Sequence, residues 1–587
     1  MLLTHIIKTQ AESALLQAYP LQATEAACSL IEITEATQEK FGHYQLNSAM
    51  KLTKILGENP RQISEKWVSA LNTLRDTPTL FAKIEIAGPG FINFTLHAQF
   101  LSRVINAQLK DKRLGVPLPI VPKKVVIDFS SPNIAKEMHI GHLRSTIIGD
   151  CLARILEFMG HMVLRLNHVG DWGTQFGMLI AHLKSTFPAN LVESTDLDLG
   201  DFVSLYRTAK KRFDEDPEFK KEAQLEVVAL QGGNEHSLRA WQHICTLSRK
   251  TNQMIYDLLD VKLIERGESY YNPLLLPLIQ ELESNGLLTL SDGAKCIYLE
   301  GFTNREGEPL PLILQKKDGG FNYATTDMAA LRERVQKEQG NWLIYVTDAG
   351  QSLHFQMLFE AAKKAHFYDP ATVRIDHVPF GLVLKADGKK FQTRSGETER
   401  LIDVLHIGIA EAKAKLKEHN PSISAAELES SGTILGINAI KYADLSNHRL
   451  SDYIFSYEKM LKFEGNTAAF ILYAYVRIRS IQRRTAIDIS NLIRQNGSIV
   501  LEEPTEIALG LLACQFNEIL ERTAEELLPN RLTDYLYRLA EKFHVFFHFC
   551  RVEGSPQQDS RLLLCEAVAN VLEQGIRLLG LKPLDRM

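Results

Sequence analysis

Cysteine is scarce in this chain: seven of 587 residues, at positions 28, 151, 245, 296, 514, 550 and 565, with no Cys-x-x-Cys pair. That spacing speaks against a structural zinc site and a disulfide framework. It favours a reducing compartment, so a cytoplasmic location is expected. No apolar run reaches the ~20 residues that span a bilayer. Residues 1–8 carry no basic flank ahead of a long apolar segment, so neither a membrane span nor a secretory signal is expected. Positive charge is not in excess either: 66 Lys and Arg stand against 71 Asp and Glu, a net charge of −5. Global charge therefore does not advertise nucleic-acid binding, and any RNA contact must come from local basic patches. There is no internal repeat and no low-complexity tract.

What is present is too long for one core, so several domains are expected. Residues 1–115 read as a small α/β domain. In it, residues 40–56 show helical periodicity, with Leu46, Met50 and Leu52 on one side. Residues 83–86 and 91–96 alternate like strands around Gly88-Pro89-Gly90. Residues 110–122, with three prolines, read as a linker. From Val125 the pattern is that of a doubly wound, Rossmann-type parallel α/β domain, taken as 116–404, with a charged helical insertion near 195–265. Beyond it the chain is almost entirely helical: a connecting region at 405–455 and a helical bundle at 456–587.

The chemistry starts at residue 125. Val125-Val126-Ile127-Asp128-Phe129 reads as a buried parallel strand, and Leu143-Arg144-Ser145-Thr146-Ile147-Ile148-Gly149-Asp150 as a helix. Between them runs Ser130-Ser131-Pro132-Asn133-Ile134-Ala135-Lys136-Glu137-Met138-His139-Ile140-Gly141-His142. A helix start offers free N–H groups and the positive end of a dipole to phosphate. The two histidines add hydrogen-bond donors, and Gly141, lacking a side chain, lets a flat purine lie close to the backbone. A capping or core pair of histidines is the plainer reading of the same residues. Far downstream, Asp387-Gly388-Lys389-Lys390-Phe391-Gln392-Thr393-Arg394-Ser395-Gly396-Glu397 is a glycine-flanked loop rich in cations and hydroxyls. Such a loop suits closure over a triphosphate; standing alone it reads as a solvated basic turn.

Together the two motifs resemble the class I aminoacyl-tRNA synthetases, and the details resemble the arginyl-tRNA synthetases. The resemblance is carried by residues 129–150, by Asn167-His168-Val169-Gly170-Asp171-Trp172-Gly173-Thr174-Gln175-Phe176-Gly177, and by Glu464-Gly465-Asn466-Thr467. Asn59-Pro60-Arg61, Gly88-Pro89-Gly90-Phe91-Ile92-Asn93, Leu578-Leu579-Gly580-Leu581 and Arg586-Met587 extend it over nearly the whole chain. It implies ATP-dependent ligation of L-arginine to tRNA(Arg) through an arginyl-adenylate, releasing AMP and pyrophosphate. ATP would arrive with Mg²⁺, no zinc is expected, activation would require bound tRNA, and the enzyme would be a monomer. Another nucleotidyltransferase with the same motif, or an inactive RNA-binding relative, are the competing readings.

The resemblance also assigns residues. Lys136, His139, His142, Lys390 and Arg394 would serve catalysis, and His139, Gly141, His142, Lys390 and Ser395 would bind ATP. Thr393 stands where the second lysine of the usual class I loop would be, and Lys136 is expected to substitute for it. A guanidinium is planar and permanently charged, so its site needs acids. Tyr323 and Asp327, one helical turn apart, share a face; with Asp128, Asn133 and Gln351 they would hold arginine. For tRNA, the resemblance points to Tyr44 in the N-terminal domain and to Tyr473, Arg477, Arg479 and Arg484 in the bundle. Aromatic rings beside arginines suit splayed bases and phosphates, although a bundle helix carries the same pattern.

Overall fold

The computed structural model describes residues 2–134, 136–186, 199–385, 387–389 and 399–587; at 174 and 199–204 only the backbone is described. Lys390, Thr393, Arg394 and Ser395 lie outside the described residues.

A five-stranded parallel sheet forms the centre. Its order is Arg374–Phe380, Trp342–Asp348, Lys124–Asp128, Met162–Asn167, Ile264–Glu265. The strand read from residue 125 therefore lies in the middle. The chain builds outward from it to one side, then returns and builds to the other. The reversal opens a crevice at the carboxyl ends of Lys124–Asp128 and Trp342–Asp348, where doubly wound sheets place their ligands. The helix Ile140–Phe158 covers this point. It packs so close to the first strand that a Cβ on Gly149 would come within 2.2 Å of the Phe129 ring.

The insertion is helical, as read: Leu199–Glu215, Pro217–Gln231 and Glu235–Leu259. With the helix Thr174–Thr186 it closes an apolar cluster of its own around Phe176, Phe219 and Ile244. A three-stranded antiparallel sheet, Pro309–Gln315, Ala294–Thr303 and Thr289–Ser291, was not read from the sequence.

The N-terminal domain has a four-stranded antiparallel sheet in which Phe81–Ala87 and Phe91–Leu96 pair around the expected turn. The single helix expected over 40–56 is instead a strand, Tyr44–Leu46, and a helix, Ala49–Leu56. Gly42 breaks it: φ is +83°, and a Cβ there would lie 2.7 Å from the Phe94 carbonyl oxygen. The strand that follows carries Tyr44 into the junction with the C-terminal bundle. Tyr44 is wholly buried; its hydroxyl donates to Glu518 Oε2 (3.0 Å) and accepts from Gln515 Nε2 (3.1 Å). Thr4 N–H donates to the other oxygen of Glu518 (2.6 Å). The tRNA contact expected of Tyr44 is thus corrected: its side chain docks one domain on another and presents nothing to RNA.

Apart from the short strand Tyr453–Ile454, the C-terminal region is built of helices, from the hairpin Leu401–His419 and Ala425–Leu445 to the bundle helices Ala468–Thr485, Pro504–Cys514, Phe516–Glu526, Asn530–Phe549 and Gln558–Leu578. One buried cation ties it to the central sheet. Lys441 Nζ donates to the carbonyls of Leu259 (2.7 Å) and Gly580 (2.6 Å) and lies 4.0 Å from Asp150 on the helix Ile140–Phe158. Asp150 in turn takes Arg154 (2.8 Å) and Arg165 (2.6 Å). No helix among the described residues is long and apolar enough to cross a membrane.

Candidate active site

The crevice holds a cavity of about 520 Å³. Its walls include Ser131, Asn133, His139, Gly141, His142 and Gln351, so five of the residues read from the sequence meet there. The turn before the histidines is conformationally expensive: Ser130 and Ser131 both take positive φ, +72° and +46°. Side chains hold it. Ser130 N–H donates to Ser145 Oγ (2.9 Å) and Ser131 N–H to Asn167 Oδ1 (2.9 Å).

The two histidines cap the helix they open. His139 Nδ1 accepts from Gly141 N–H (3.1 Å), and His142 Nδ1 accepts from His139 N–H (3.0 Å). A ring whose Nδ1 accepts carries its proton on Nε2. The imidazoles, 4.0 Å apart, therefore keep their Nε2–H groups for other partners. Burial, then neighbouring His139, push His142 down to about 3; burial and the Lys136 charge lower His139. Both act as neutral dipoles. The capping role read from the sequence is present, and it uses only Nδ1 of each ring. Gly141 has a second reason to be glycine: a Cβ would lie 2.9 Å from the His139 ring. Its missing side chain makes room for the cap.

Lys136 is exposed, close enough to lower both histidines, and makes no ion pair among the described residues. Asn133 pairs with Gly170 in an isolated bridge, and its Oδ1 occupies the space where a Gly170 Cβ would be. The chain leaves the cavity wall at Val383–Leu384. It returns at Arg400, which bridges to His139 and pairs with Glu137 (3.2 Å).

Beside the cavity lies a charged wall. Asp327 Oδ2 meets His354 Nε2 at 2.6 Å, and His168 Nε2 lies 3.9 Å from Asp327 Oδ1. The ring of Tyr323, 61% exposed, sits 4.9 Å from that of His354. Gln351 donates to Asp348 (2.9 Å). The expectation for Asp128 needs correcting. Its Oδ2 pairs with buried Arg334 (2.7 Å) and its Oδ1 accepts from Ser131 (2.9 Å), so its charge is already matched within the protein. Arg334 and Asp128 are far apart in sequence, and nothing local links them. Glu268 was also missed. It opens the helix Glu268–Ser284, and burial with Asp327 and Asp171 nearby pushes its carboxyl up to about 7. A cation beside Glu268 would favour its ionised form.

In the bundle, Arg477 lies over Tyr473 (4.6 Å) and Phe547 (5.2 Å). Arg484 is exposed and pairs with Glu553 (3.2 Å). Arg479 is corrected as an RNA contact: its guanidinium pairs with Glu566 (2.6 Å) and Glu573 (3.4 Å) between bundle helices. Sequence reading passed over Phe549, 71% exposed at the end of Asn530–Phe549 beside His548.

Three family models match along the chain: the class I (R) tRNA synthetase catalytic domain over residues 104–457, the DALR anticodon-binding domain over 471–587, and the arginyl-tRNA synthetase N-terminal domain over 4–96. The chain belongs to the class I arginyl-tRNA synthetases. It is 59% identical over 556 residues to the arginine–tRNA ligase of Protochlamydia amoebophila, covering 95% of this chain and 94% of that one. It is 51% identical over 587 residues to that of Nostoc punctiforme, with 99% of each chain covered. The crystal structure of arginyl-tRNA synthetase from Plasmodium falciparum superposes with a TM-score of 0.86 at 35% identity, covering 100% of this chain and 99% of that one. Arginyl-tRNA synthetases ligate arginine to tRNA(Arg) with ATP through an arginyl-adenylate, and this chain is such a ligase.

Proposed function

We propose that the cavity beside His139 and His142 holds ATP and that arginine lies against the Asp327–His354 wall, its guanidinium toward Tyr323, Asp327 and Glu268. The carboxylate of arginine attacks the α-phosphorus in line, and pyrophosphate leaves. The 2′-hydroxyl of the terminal tRNA ribose then attacks the adenylate carbonyl, and AMP leaves. The observation that carries this reading is the pair of Nε2–H donors at the cavity wall, left over because each Nδ1 accepts a backbone hydrogen bond at a helix N-terminus. Preorganised neutral donors stabilise developing phosphate charge without reorganising. Lys136 adds an exposed cation. Lys390 and Arg394, from the segment between Val383–Leu384 and Arg400, would join them. Mg²⁺ would enter with the nucleotide, bound to its phosphates and water, and would offset phosphate charge. Asp128 and Arg334 brace the Ser131 turn, while Asn133 and Gln351 face the amino-acid backbone.

For tRNA, Tyr473, Arg477, Arg484 and Phe549 offer an aromatic and cationic face to anticodon-loop bases and phosphates. The enzyme acts in the cytoplasm, a reading supported by free cysteines, six of them buried, and by family resemblance it acts as a monomer. The test is arginine-dependent ATP–pyrophosphate exchange with and without total tRNA. Exchange with arginine and none with lysine is expected; no arginine-dependent exchange under either condition would overturn the reading. In the same assay Lys136→Ala should lower kcat by about 10²–10³-fold, and an unchanged rate would remove Lys136 from catalysis.

A further inference from the structure

The cavity wall Phe380–Val383 continues the outermost strand of the parallel sheet, and it is held from outside that sheet. Val383–Leu384 pairs in parallel with Tyr453–Ile454. Gly381 N–H donates to the Arg449 carbonyl (2.8 Å), and Leu382 N–H to Asp452 Oδ1 (2.6 Å). The third hold comes from the helix that carries the histidines. Arg144, on that helix, donates through Nη1 to the carbonyls of Gly381 (2.8 Å) and Ser451 (3.1 Å). Its guanidinium packs over Tyr453 (5.2 Å) and Phe380 (5.8 Å), and its Nε lies 3.1 Å from Asp444 Oδ2. Both side chains are 1% exposed or less.

Stability alone is a poor account of this pair. Desolvating two charges offsets most of their attraction. Here Arg144 Nε and both Asp444 oxygens also lack a well-formed hydrogen bond. What a planar, rigid fork supplies is position. It joins the histidine helix, the wall opposite it, and the helix Ala425–Leu445 at one buried point.

We propose that the Arg144–Asp444 pair is a positioning device for ATP, setting the Phe380–Val383 wall at its working distance from His139 and His142. This rests on the reading of the cavity as the ATP site. Small misplacements of a binding wall cost heavily in rate. Among the described residues its hydrogen bonds and ring contacts go to Phe380, Gly381, Ser451 and Tyr453, none of which is assigned to arginine, so its effect should fall on the nucleotide.

The experiment measures kcat and separate KM values for ATP and arginine in the exchange assay, with melting temperature alongside. Arg144→Lys keeps the charge and loses the fork; Asp444→Asn keeps the shape and loses the charge. Each should raise the ATP KM by about tenfold while the arginine KM stays within about twofold. Asp452→Ala removes an exposed group that holds Leu382 N–H, so it should fold normally and raise the ATP KM by about threefold. A purely structural role would lower the melting temperature and leave the ATP KM alone. That result, or ATP and arginine KM values rising together, overturns the proposal while the ATP reading stands. Absence of arginine-dependent exchange in the unaltered enzyme overturns both.

Discussion

Single side chains decide the charge in this site. His142 is neutral throughout the assay range because burial holds it at about 3. Its donor role should therefore be independent of pH: His142→Ala lowers kcat for exchange by about 10²–10³-fold, by the same factor at pH 6 and pH 8. The same shift has a stability cost. Above the ordinary histidine pKa of 6.5 neither folded nor unfolded chain protonates this ring. As pH falls from 6.5 toward 3, only the unfolded chain takes the proton, so stability is lost across that window. Glu268 behaves oppositely. With its carboxyl at about 7, it must ionise to face a guanidinium. The arginine KM should rise as pH drops below 7, approaching about tenfold per unit as the ionised fraction falls. Glu268→Gln should raise that KM at pH 8 and flatten its pH dependence; an unaltered profile would remove Glu268 from the arginine site.

At the level of elements, the helix Ile140–Phe158 is defined by contacts at both its start and its middle. Gly149 is the middle contact. Gly149→Ala drives a Cβ into the Phe129 ring, and overpacking of this kind costs about 1–3 kcal/mol. Because Phe129 leads directly into the Ser130–Ser131 turn, a fall in melting temperature should come with a raised ATP KM. This element was legible in the sequence because its signals are local: an apolar run, a polar turn and two cap residues lie within about thirty positions of one another. The helical insertion was legible for the same reason. What escaped was pairing over distance. Nothing near Asp128 announces Arg334, and nothing near Arg479 announces Glu566 and Glu573. The periodicity over 40–56 misled because Gly42, not the apolar spacing, sets the backbone there. Glu268 was missed because its shift comes from acids that only the fold assembles.

Over the whole molecule, Lys441 is the shared fixture of the insertion, the histidine helix and the segment after the last bundle helix. Burial lowers its ammonium from 10.5 to about 8. Below pH 8 the fold bears the cost of a buried charge; between 8 and 10.5 only the unfolded chain stays protonated, so stability rises with pH across that interval. Lys441→Met should abolish this alkaline gain, read as the difference in melting temperature between pH 8 and pH 10, and equal gains in both proteins would refute it. The contact of Thr4 and Tyr44 with Glu518 has a further consequence, set by the order in which the chain is made. Thr4 and Glu518 are 514 residues apart. At the usual 5–20 residues per second of synthesis, about 25–100 s pass before the partner of the first domain emerges. Through that interval Tyr44 stands open to chaperones and proteases, and the finished enzyme buries its side chain completely.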